Sequence, residues 1–362
     1  MVPVWSLLFL IFAGCSLLSL LLCWIGKLLF PKFRSGEFKP GPHRPDLLLS
    51  TGQEIKTIEL PLVGGPAITL SIVATGICAG FLFNLRPDQW TLLIIGLVAT
   101  VGFMLVGLVD DWYKVHHNEG ISERSKALGV ILVSMAAALI YYLLTVQGRQ
   151  PYSPYSDILG ALFSRVPLAW LICLMIVTGV IGGVTSISVD FADGLDGLAG
   201  GLVFSAALAF GIIITGSLNP KHPEGIVLEV LALLCAGSVL GFLPWNWPSS
   251  WAARKSHARR RAKIYMGDSG ALALGGIMAM VAIFSRNEIL LLMIGCAFVL
   301  EGLSSLISAK VLTRFFRKNL RLLRFASLSE FVPHTEFPLP FLATPMHHHF
   351  DLLGWDRRRL VY

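Results

Sequence analysis

The stretch LLIIGLVATVGFMLVGLVDDWYKV, from Leu92 to Val115, decides the fold class of this chain. Eighteen uncharged residues precede two adjacent aspartates, Asp110 and Asp111, and an apolar run of about 18 residues is long enough to predict a membrane-spanning helix. A carboxylate at the edge of a hydrocarbon layer is costly unless something binds it. The stretch therefore predicts a membrane helix that ends in an acidic binding site.

The rest of the chain repeats this apolar pattern. Of its 362 residues, 55% are hydrophobic and only 14% are charged, whereas a soluble protein carries about 25% charged residues. We therefore predict an all-α, polytopic integral membrane protein, with about nine transmembrane helices. The predicted spans are roughly 3–25, 66–84, 90–109, 127–146, 168–189, 198–216, 225–243, 270–285 and 289–309. Because no hydrophilic stretch is long enough for a soluble domain, residues 1–362 are predicted to form one membrane domain.

Basic residues predict the orientation of these spans. If the connecting loops alternate sides, 24 of the 29 Lys and Arg fall on one side, in residues 26–65, 110–126, 190–197, 244–269 and 310–362. The positive-inside rule places that side in the cytoplasm and the N-terminus outside. The net charge of +7 suits anionic ligands at a cytoplasmic membrane face. Because no recognition motif accompanies the charge, we do not expect nucleic acid as a partner.

Four polar clusters fall on the predicted cytoplasmic side, at helix ends or in loops. Their sequences are LVDDWYKV, SVDFADGLDGLAGG, YMGDSGALALGG and TPMHHHFDLLGW, beginning at residues 108, 188, 265 and 344. Their shared side predicts a single site at the cytoplasmic interface, whereas the acids of a transporter would lie near the middle of the membrane.

The second cluster places three aspartates at a spacing of i, i+3 and i+6, namely Asp190, Asp193 and Asp196. Three like charges this close need a cation, a buried proton or a basic partner. The alternative is a turn or a helix cap, for which Asp-Gly is a common signal. Oxygen ligands without thiolates favour Mg²⁺ or Mn²⁺, and Mg²⁺ usually takes only one or two protein carboxylates.

The remaining clusters each allow more than one interpretation. Asp268 could cap the helix that it begins, ligate a metal ion, or do both. The histidines at 347–349 could bind zinc, form a purification tag, or contact phosphate and carry a proton. Lys114 and Lys126 could extend to the membrane surface or pair with a diphosphate.

In this order, and with GFLPWN ending at Asn246, the clusters resemble the polyprenyl-phosphate N-acetylhexosamine-1-phosphate transferases. The histidine motif resembles that of the muramoyl-pentapeptide branch. The resemblance implies a magnesium-dependent transferase of the bacterial inner membrane, with its site facing the cytoplasm. It implies that phospho-MurNAc-pentapeptide passes from UDP-MurNAc-pentapeptide to undecaprenyl phosphate, giving lipid I and UMP in peptidoglycan synthesis. A homodimer is among the assemblies that the sequence allows.

Residue roles follow from the resemblance as hypotheses. The expected metal ligands are Asp268 and Asp193. The expected catalytic residues are Asp110, Asp111, Asp193, Asp268 and His347. The expected substrate-binding residues are Lys114, Lys126, Asp190, Asp196, Asn246, His348 and His349.

The chain also departs from the family pattern. Ile187 and Asp190 stand where the family usually has two asparagines, and ELPLVGG, ending at Gly65, is closer to the N-acetylglucosamine-1-phosphate branch. That branch is therefore the alternative function, and an inactive scaffold is another. The family carries a tenth span after the position of Tyr362, so we expect either a shortened chain or a member that ends inside the cell.

Overall fold

The computed structural model describes residues 3–30, 34–35, 60–117, 120–145, 167–217, 225–247, 262–285, 287–307, 345–347 and 350. Ten helices and one pair of two-residue strands occur in this part of the chain. In chain order they are α1 (Val4–Leu29), β1 (Arg34–Ser35), β2 (Leu60–Pro61), α2 (Gly64–Leu82), α3 (Pro87–His117), α4 (Glu123–Thr145), α5 (Pro167–Ala192), α6 (Leu198–Ser217), α7 (Gly225–Asn246), α8 (Gly267–Ser285), α9 (Glu288–Ile294) and α10 (Cys296–Ile307).

The predicted all-α membrane architecture is confirmed. Within the described ranges, seven helices are long and apolar enough to cross a membrane, and counting the bent pair α9–α10 as one span gives eight. Helix α6 covers the predicted span 198–216, although its apolar part, Leu198–Ile214, is shorter than the other seven. The count of nine and the outward N-terminus stay predictions.

The predicted span 289–309 is not one straight helix. It consists of α9 and α10, which meet at an angle of 86°. The break lies at Gly295, whose backbone N–H donates to the Leu291 carbonyl and closes α9 before α10 begins. Apolar composition extends across the break, so hydropathy alone could not have located it.

Helix α8 lies at the centre of the fold. Of its most apolar stretch, 94% is buried inside the protein, as expected for a helix that is apolar on all sides. Helices α2, α3, α5 and α7 pack around it. Small residues bring the backbones close: at Gly107 of α3, a Cβ would overlap the carbonyl group of Asp268. The beginning of α8 is therefore held directly against α3.

The two strands join residues before α2 to the approach to α8. Strands β1 and β2 pair antiparallel, with Ser35 opposite Leu60. The chain after β2 then exchanges backbone hydrogen bonds with the segment before α8: Gly64 N–H donates to Tyr265 and Gly65 N–H to Met266. This pairing, which the sequence did not predict, places the LPLVGG segment beside the beginning of α8.

Candidate active site

The ends of several helices bring the predicted acids and lysines together. Helix α3 contributes Asp110, Asp111 and Lys114 near its C-terminal end, α4 contributes Lys126, and α8 contributes Asp268 in its first turn. The carboxylates are shielded from solvent, with exposed fractions of 0% for Asp110, 1% for Asp111 and 9% for Asp268. Residues from two of the sequence clusters, together with Lys126, therefore occupy one buried site.

Asp111 caps helix α8 from a neighbouring helix. Its Oδ1 accepts a hydrogen bond from the backbone N–H of Asp268, and its Oδ2 accepts one from Ser269, both at 3.0 Å. Backbone N–H groups in the first turn of a helix have no partner within the helix, and the helix dipole favours a negative charge there. The interpretation of Asp268 as the cap is therefore wrong, because Asp111 fills that role.

Gly267 makes this capping contact feasible. Its φ of +71° lies in the left-handed region that favours glycine. A Cβ at this position would also stand 2.6 Å from Asp111 Oδ2. Both observations explain why glycine immediately precedes Asp268.

Asp110 ties α3 to the turn that leads into α4. Its Oδ1 accepts a hydrogen bond from the backbone N–H of Ile121 at 2.7 Å. Its Oδ2 lies 2.6 Å from Lys114 Nζ and 3.8 Å from Lys126 Nζ. One carboxylate thus fixes the loop and faces both lysines.

The two lysines lie among the acids of the site. Lys114 forms ion pairs with Asp110 and Asp268. Lys126, only 5% exposed, forms ion pairs with Asp268 and Asp190, the latter at 3.1 Å. These contacts favour the interpretation in which the lysines pair with charged groups over the one in which they extend to the membrane surface.

Negative charge exceeds positive charge in this cluster. In the described part of the chain, Asp110, Asp190 and Asp268 form ion pairs with Lys114 and Lys126. Asp111 and Asp193 add further carboxylates close to Asp268. Burial raises the pKa of Asp193 well above its ordinary value, and the negative charges of Asp190 and Asp268 raise it further. An added cation would relieve this repulsion.

Two predicted substrate-binding residues hold the loop after α5 in place. Asn246 Oδ1 accepts a hydrogen bond from Gly197 N–H, while its Nδ2 donates to the Ile264 carbonyl. Asp196 Oδ2 accepts one from the N–H of Ala262. These contacts connect the DGLDG loop to the segment before α8, so both side chains shape the site whether or not they also contact a ligand.

The histidine motif reaches the same loop through His347. This residue is 2% exposed, and its Nδ1 lies 3.1 Å from Oε2 of Glu301 on α10. A Cβ on Gly194 would overlap Nε2 of the ring, so the imidazole lies directly against the loop that carries Asp193. The predicted substrate-binding residues His348 and His349 lie outside the described residues.

Oxygen atoms of three carboxylates could share one metal ion. Asp110, Asp111 and Asp268 each offer an oxygen, and these atoms lie within 4.8 Å of one another. An oxygen-only donor set with surplus negative charge fits a hard divalent cation. Asp193, predicted as the second ligand beside Asp268, is not among these three.

The sequence interpretation missed Glu301. It interrupts the apolar run CAFVLEGLSSL, and an ionisable residue within a predicted span is itself a signal of function. That signal was present, but the partner of Glu301 is 46 residues further along the chain.

Comparison with known proteins assigns this site to a family. Residues 93–286 match the family model described as glycosyl transferase family 4. The matched range contains the acids of α3, α5 and α8 and both buried lysines.

Curated relatives that match most of the chain share one name. The phospho-N-acetylmuramoyl-pentapeptide-transferase of Bacillus licheniformis is 32% identical over 305 residues, which cover 83% of this chain and 78% of the relative. Proteins of the same name from Bacillus thuringiensis and Bacillus cereus are 32% identical over 304 residues, with the same coverage.

Proposed function

The chain belongs to glycosyl transferase family 4, and from that premise we propose that it makes lipid I. In the proposed reaction, phospho-MurNAc-pentapeptide passes from UDP-MurNAc-pentapeptide to undecaprenyl phosphate, and UMP is released. The observation that carries the proposal is the buried cluster in which Lys114 and Lys126 lie among the acids of α3, α5 and α8. Such a cluster offers both a cation site and two ammonium groups for phosphates.

The location suits one water-soluble and one lipid substrate. The acids and lysines lie at or near the ends of apolar helices, where the headgroup of a lipid phosphate meets water. We propose that this end faces the cytoplasm of a bacterial inner membrane, on the side that holds 24 of the 29 Lys and Arg. We also propose that the whole chain forms one membrane domain.

The proposed chemistry is a direct displacement at phosphorus. An oxygen of undecaprenyl phosphate attacks the β-phosphorus of the UDP-sugar, a new P–O bond forms, and the bond from that phosphorus to the bridging oxygen breaks as UMP leaves. The second pKa of a phosphate monoester is about 6, so the nucleophile is already mostly dianionic at neutral pH. A strong general base is not required. Asp110 is our proposed residue for orienting the lipid phosphate, with Asp111 holding α8 beside it.

The lysines are proposed to bind the diphosphate. Both ammonium groups form ion pairs with Asp268 and with Asp110, and Lys126 also pairs with Asp190. Phosphate oxygens would take the place of some of these contacts, and buried charge-assisted hydrogen bonds are the strong ones. His347, which lies against the DGLDG loop at Gly194, is our proposed contact for the sugar or its phosphate.

Mg²⁺ is the proposed cofactor, because the candidate metal ligands at this site are all carboxylate oxygens. Both oxygens of Asp111 already accept backbone hydrogen bonds, and Mg²⁺ usually takes one or two protein carboxylates. We therefore propose Asp268 as the main ligand, with Asp110 or Asp193 as the second. When bound, the ion would neutralise charge on the diphosphate and stabilise the leaving UMP.

The alternative function is transfer of N-acetylglucosamine-1-phosphate from UDP-GlcNAc to a polyprenyl phosphate. Its support is the segment LPLVGG, which resembles that branch and lies against the beginning of α8. The purified protein should release UMP from UDP-MurNAc-pentapeptide, and mass spectrometry should identify lipid I. Release from UDP-GlcNAc alone would favour the alternative, and release from neither would refute both. A radiolabelled phospho-enzyme formed with UDP-sugar alone would replace direct displacement by a two-step reaction.

A further inference from the structure

Glu301 is a buried acid in an apolar helix. It lies on α10, is 7% exposed, and has Leu300 and Gly302 as neighbours in the chain. A carboxylate in such surroundings is costly unless it is paired. We therefore expect the contacts of Glu301, like those of the aspartates, to have a function.

One oxygen of Glu301 accepts two hydrogen bonds from His347. The backbone N–H of His347 donates to Oε2 at 3.3 Å, and Nδ1 of the ring lies 3.1 Å from the same oxygen. Because a carboxylate oxygen accepts, Nδ1 must carry the proton at this contact. This bond fixes which ring nitrogen faces the carboxylate and leaves Nε2 on the other side.

Nε2 then faces the loop that holds Asp193. A Cβ on Gly194 would overlap this atom, so glycine is what lets the ring approach the loop backbone. The ring is held between a carboxylate on one side and the DGLDG loop on the other. A rotation of the ring would exchange a nitrogen for a carbon at that position.

The packing of α10 against α5 sets the distance between Glu301 and the site. At Gly302, the residue after Glu301, a Cβ would stand 3.1 Å from the Cα of Ser188. Ser188 lies on α5 two residues before Asp190, which forms an ion pair with Lys126. Glu301 is therefore carried on a helix that is packed tightly against an element of the acid cluster.

We propose that Glu301 is a positioning residue for the transfer reaction: it holds the His347 ring with Nδ1 protonated and Nε2 directed at the DGLDG loop. The inference rests on the proposed function for its consequence in catalysis. The structural half of the proposal concerns which ring nitrogen of His347 carries the proton and where the other nitrogen points. This half does not depend on which substrate is transferred.

NMR of protein labelled with ¹⁵N-histidine tests the structural half. The chain has nine histidines, and the His347 signals are those that disappear in His347→Gln. Neutral His347 in the unchanged protein should show a protonated Nδ1 and an unprotonated Nε2. Glu301→Met removes the acceptor and should yield a mixture of tautomers or the opposite one. An unchanged His347 spectrum in Glu301→Met would overturn the proposal, whether or not the protein is active.

Turnover measurements test the catalytic half. Glu301→Met should lower kcat by about tenfold or more, because a buried hydrogen bond that orients the ring is lost. Combined with His347→Gln, Glu301→Met should add less than about a twofold further loss, since its effect passes through His347. Losses that multiply, or no loss of kcat in either single variant, would overturn the proposal.

Two conservative variants separate geometry from charge and also serve if Glu301→Met does not fold. Glu301→Gln keeps an acceptor oxygen at the same reach and should retain most of kcat. Glu301→Asp keeps the charge but withdraws it by one methylene, so it should resemble Glu301→Met. The opposite order would show that charge rather than position matters, and would overturn the proposal.

A matched control is Glu229→Gln, which changes another buried glutamate with an exposed fraction of 7%. It lies on α7, about 25 Å along the helix from Asn246, and should leave kcat unchanged for folded protein. If the protein without substitutions releases no UMP from any UDP-sugar, the proposed function is refuted. The NMR experiment would then still decide whether Glu301 positions the His347 ring.

Discussion

Asp111→Asn should destabilise the protein more than Asp268→Asn, although both changes remove one negative charge from the same buried cluster. The reason is the different partners of the two side chains. Asp111 accepts hydrogen bonds from the backbone N–H groups of Asp268 and Ser269. Asp268 Oδ1 and Oδ2, by contrast, contact Lys114 and Lys126.

The expected magnitude follows from those contacts. An asparagine at 111 keeps one acceptor oxygen and turns an NH₂ group towards the other backbone donor. The lost hydrogen bond to a charged acceptor is worth about 1.5 to 3 kcal/mol, and the lost charge at the N-terminus of a helix about 0.3 to 2 kcal/mol. Relief of repulsion among the remaining acids offsets about 1 kcal/mol. The net loss in the free energy of unfolding is therefore about 1 to 4 kcal/mol.

Thermal unfolding of the purified protein in detergent measures this difference. At about 2.1 cal/mol/K per residue, the unfolding entropy of the 362-residue chain is about 0.8 kcal/mol/K, so Asp111→Asn should lower the melting temperature by about 1 to 5 °C. Asp268→Asn should lower it by less, because Lys114 keeps Asp110 and Lys126 keeps Asp190 as an ion-pair partner. An equal or larger shift for Asp268→Asn would refute the assignment of Asp111 as the cap of α8.

Three further changes test other parts of the site. Asp268→Asn should lower kcat by at least about a hundredfold, and full activity at low Mg²⁺ would contradict its role as a metal ligand. Mg²⁺ at 100 times its dissociation constant should stabilise the unchanged protein by about 2.7 kcal/mol but should not raise the melting temperature of Asp268→Asn. Gly194→Ala should lower kcat by at least about tenfold, because the new methyl group overlaps the His347 ring; a kcat within twofold of the original would contradict this. Gly267→Ala should lower the melting temperature through the left-handed backbone, which costs about 1 to 2 kcal/mol, and through its contact with Asp111. When Asp111 is replaced by Ala, Gly267→Ala should lower the melting temperature by less. An equally large decrease would argue against the contact between residue 267 and Asp111.

Much of the fold was predictable because apolar length alone identifies a membrane helix. The seven helices that meet this criterion in the described ranges all overlap predicted spans. What hydropathy could not show is where an apolar run bends or where a helix continues into water. The break at Gly295 lies inside a continuous apolar run. Helix α3 continues to His117, beyond the predicted end of its span at 109, and so keeps Asp110, Asp111 and Lys114 on one rigid helix.

The membership of the site was more predictable than its internal pairing. The acids of three clusters do meet, as their shared helix ends indicated. Which oxygen meets which donor depends on rotations and distances of a few ångströms, and the sequence holds no measure of these. From the sequence, Asp268 was therefore a candidate for the cap of α8. The hydrogen bonds in the structure assign that role to Asp111 instead. The sequence interpretation also paired Asp268 with Asp193 as metal ligands. In the structure, the oxygens that lie within 4.8 Å of one another belong to Asp110, Asp111 and Asp268.

The two departures from the family pattern acquire a physical explanation from their surroundings. Ile187 is partly buried and packs against the hydrophobic core, so an apolar side chain suits that position. Asp190 adds a negative charge to an acidic cluster, and that charge lies 3.1 Å from Lys126. Lys126 also contacts Asp268, so Asp190 takes part in the ion pairs of the site. The chain accommodates Asp190 within the electrostatic network of the site, so this departure from the family pattern is compatible with a working enzyme.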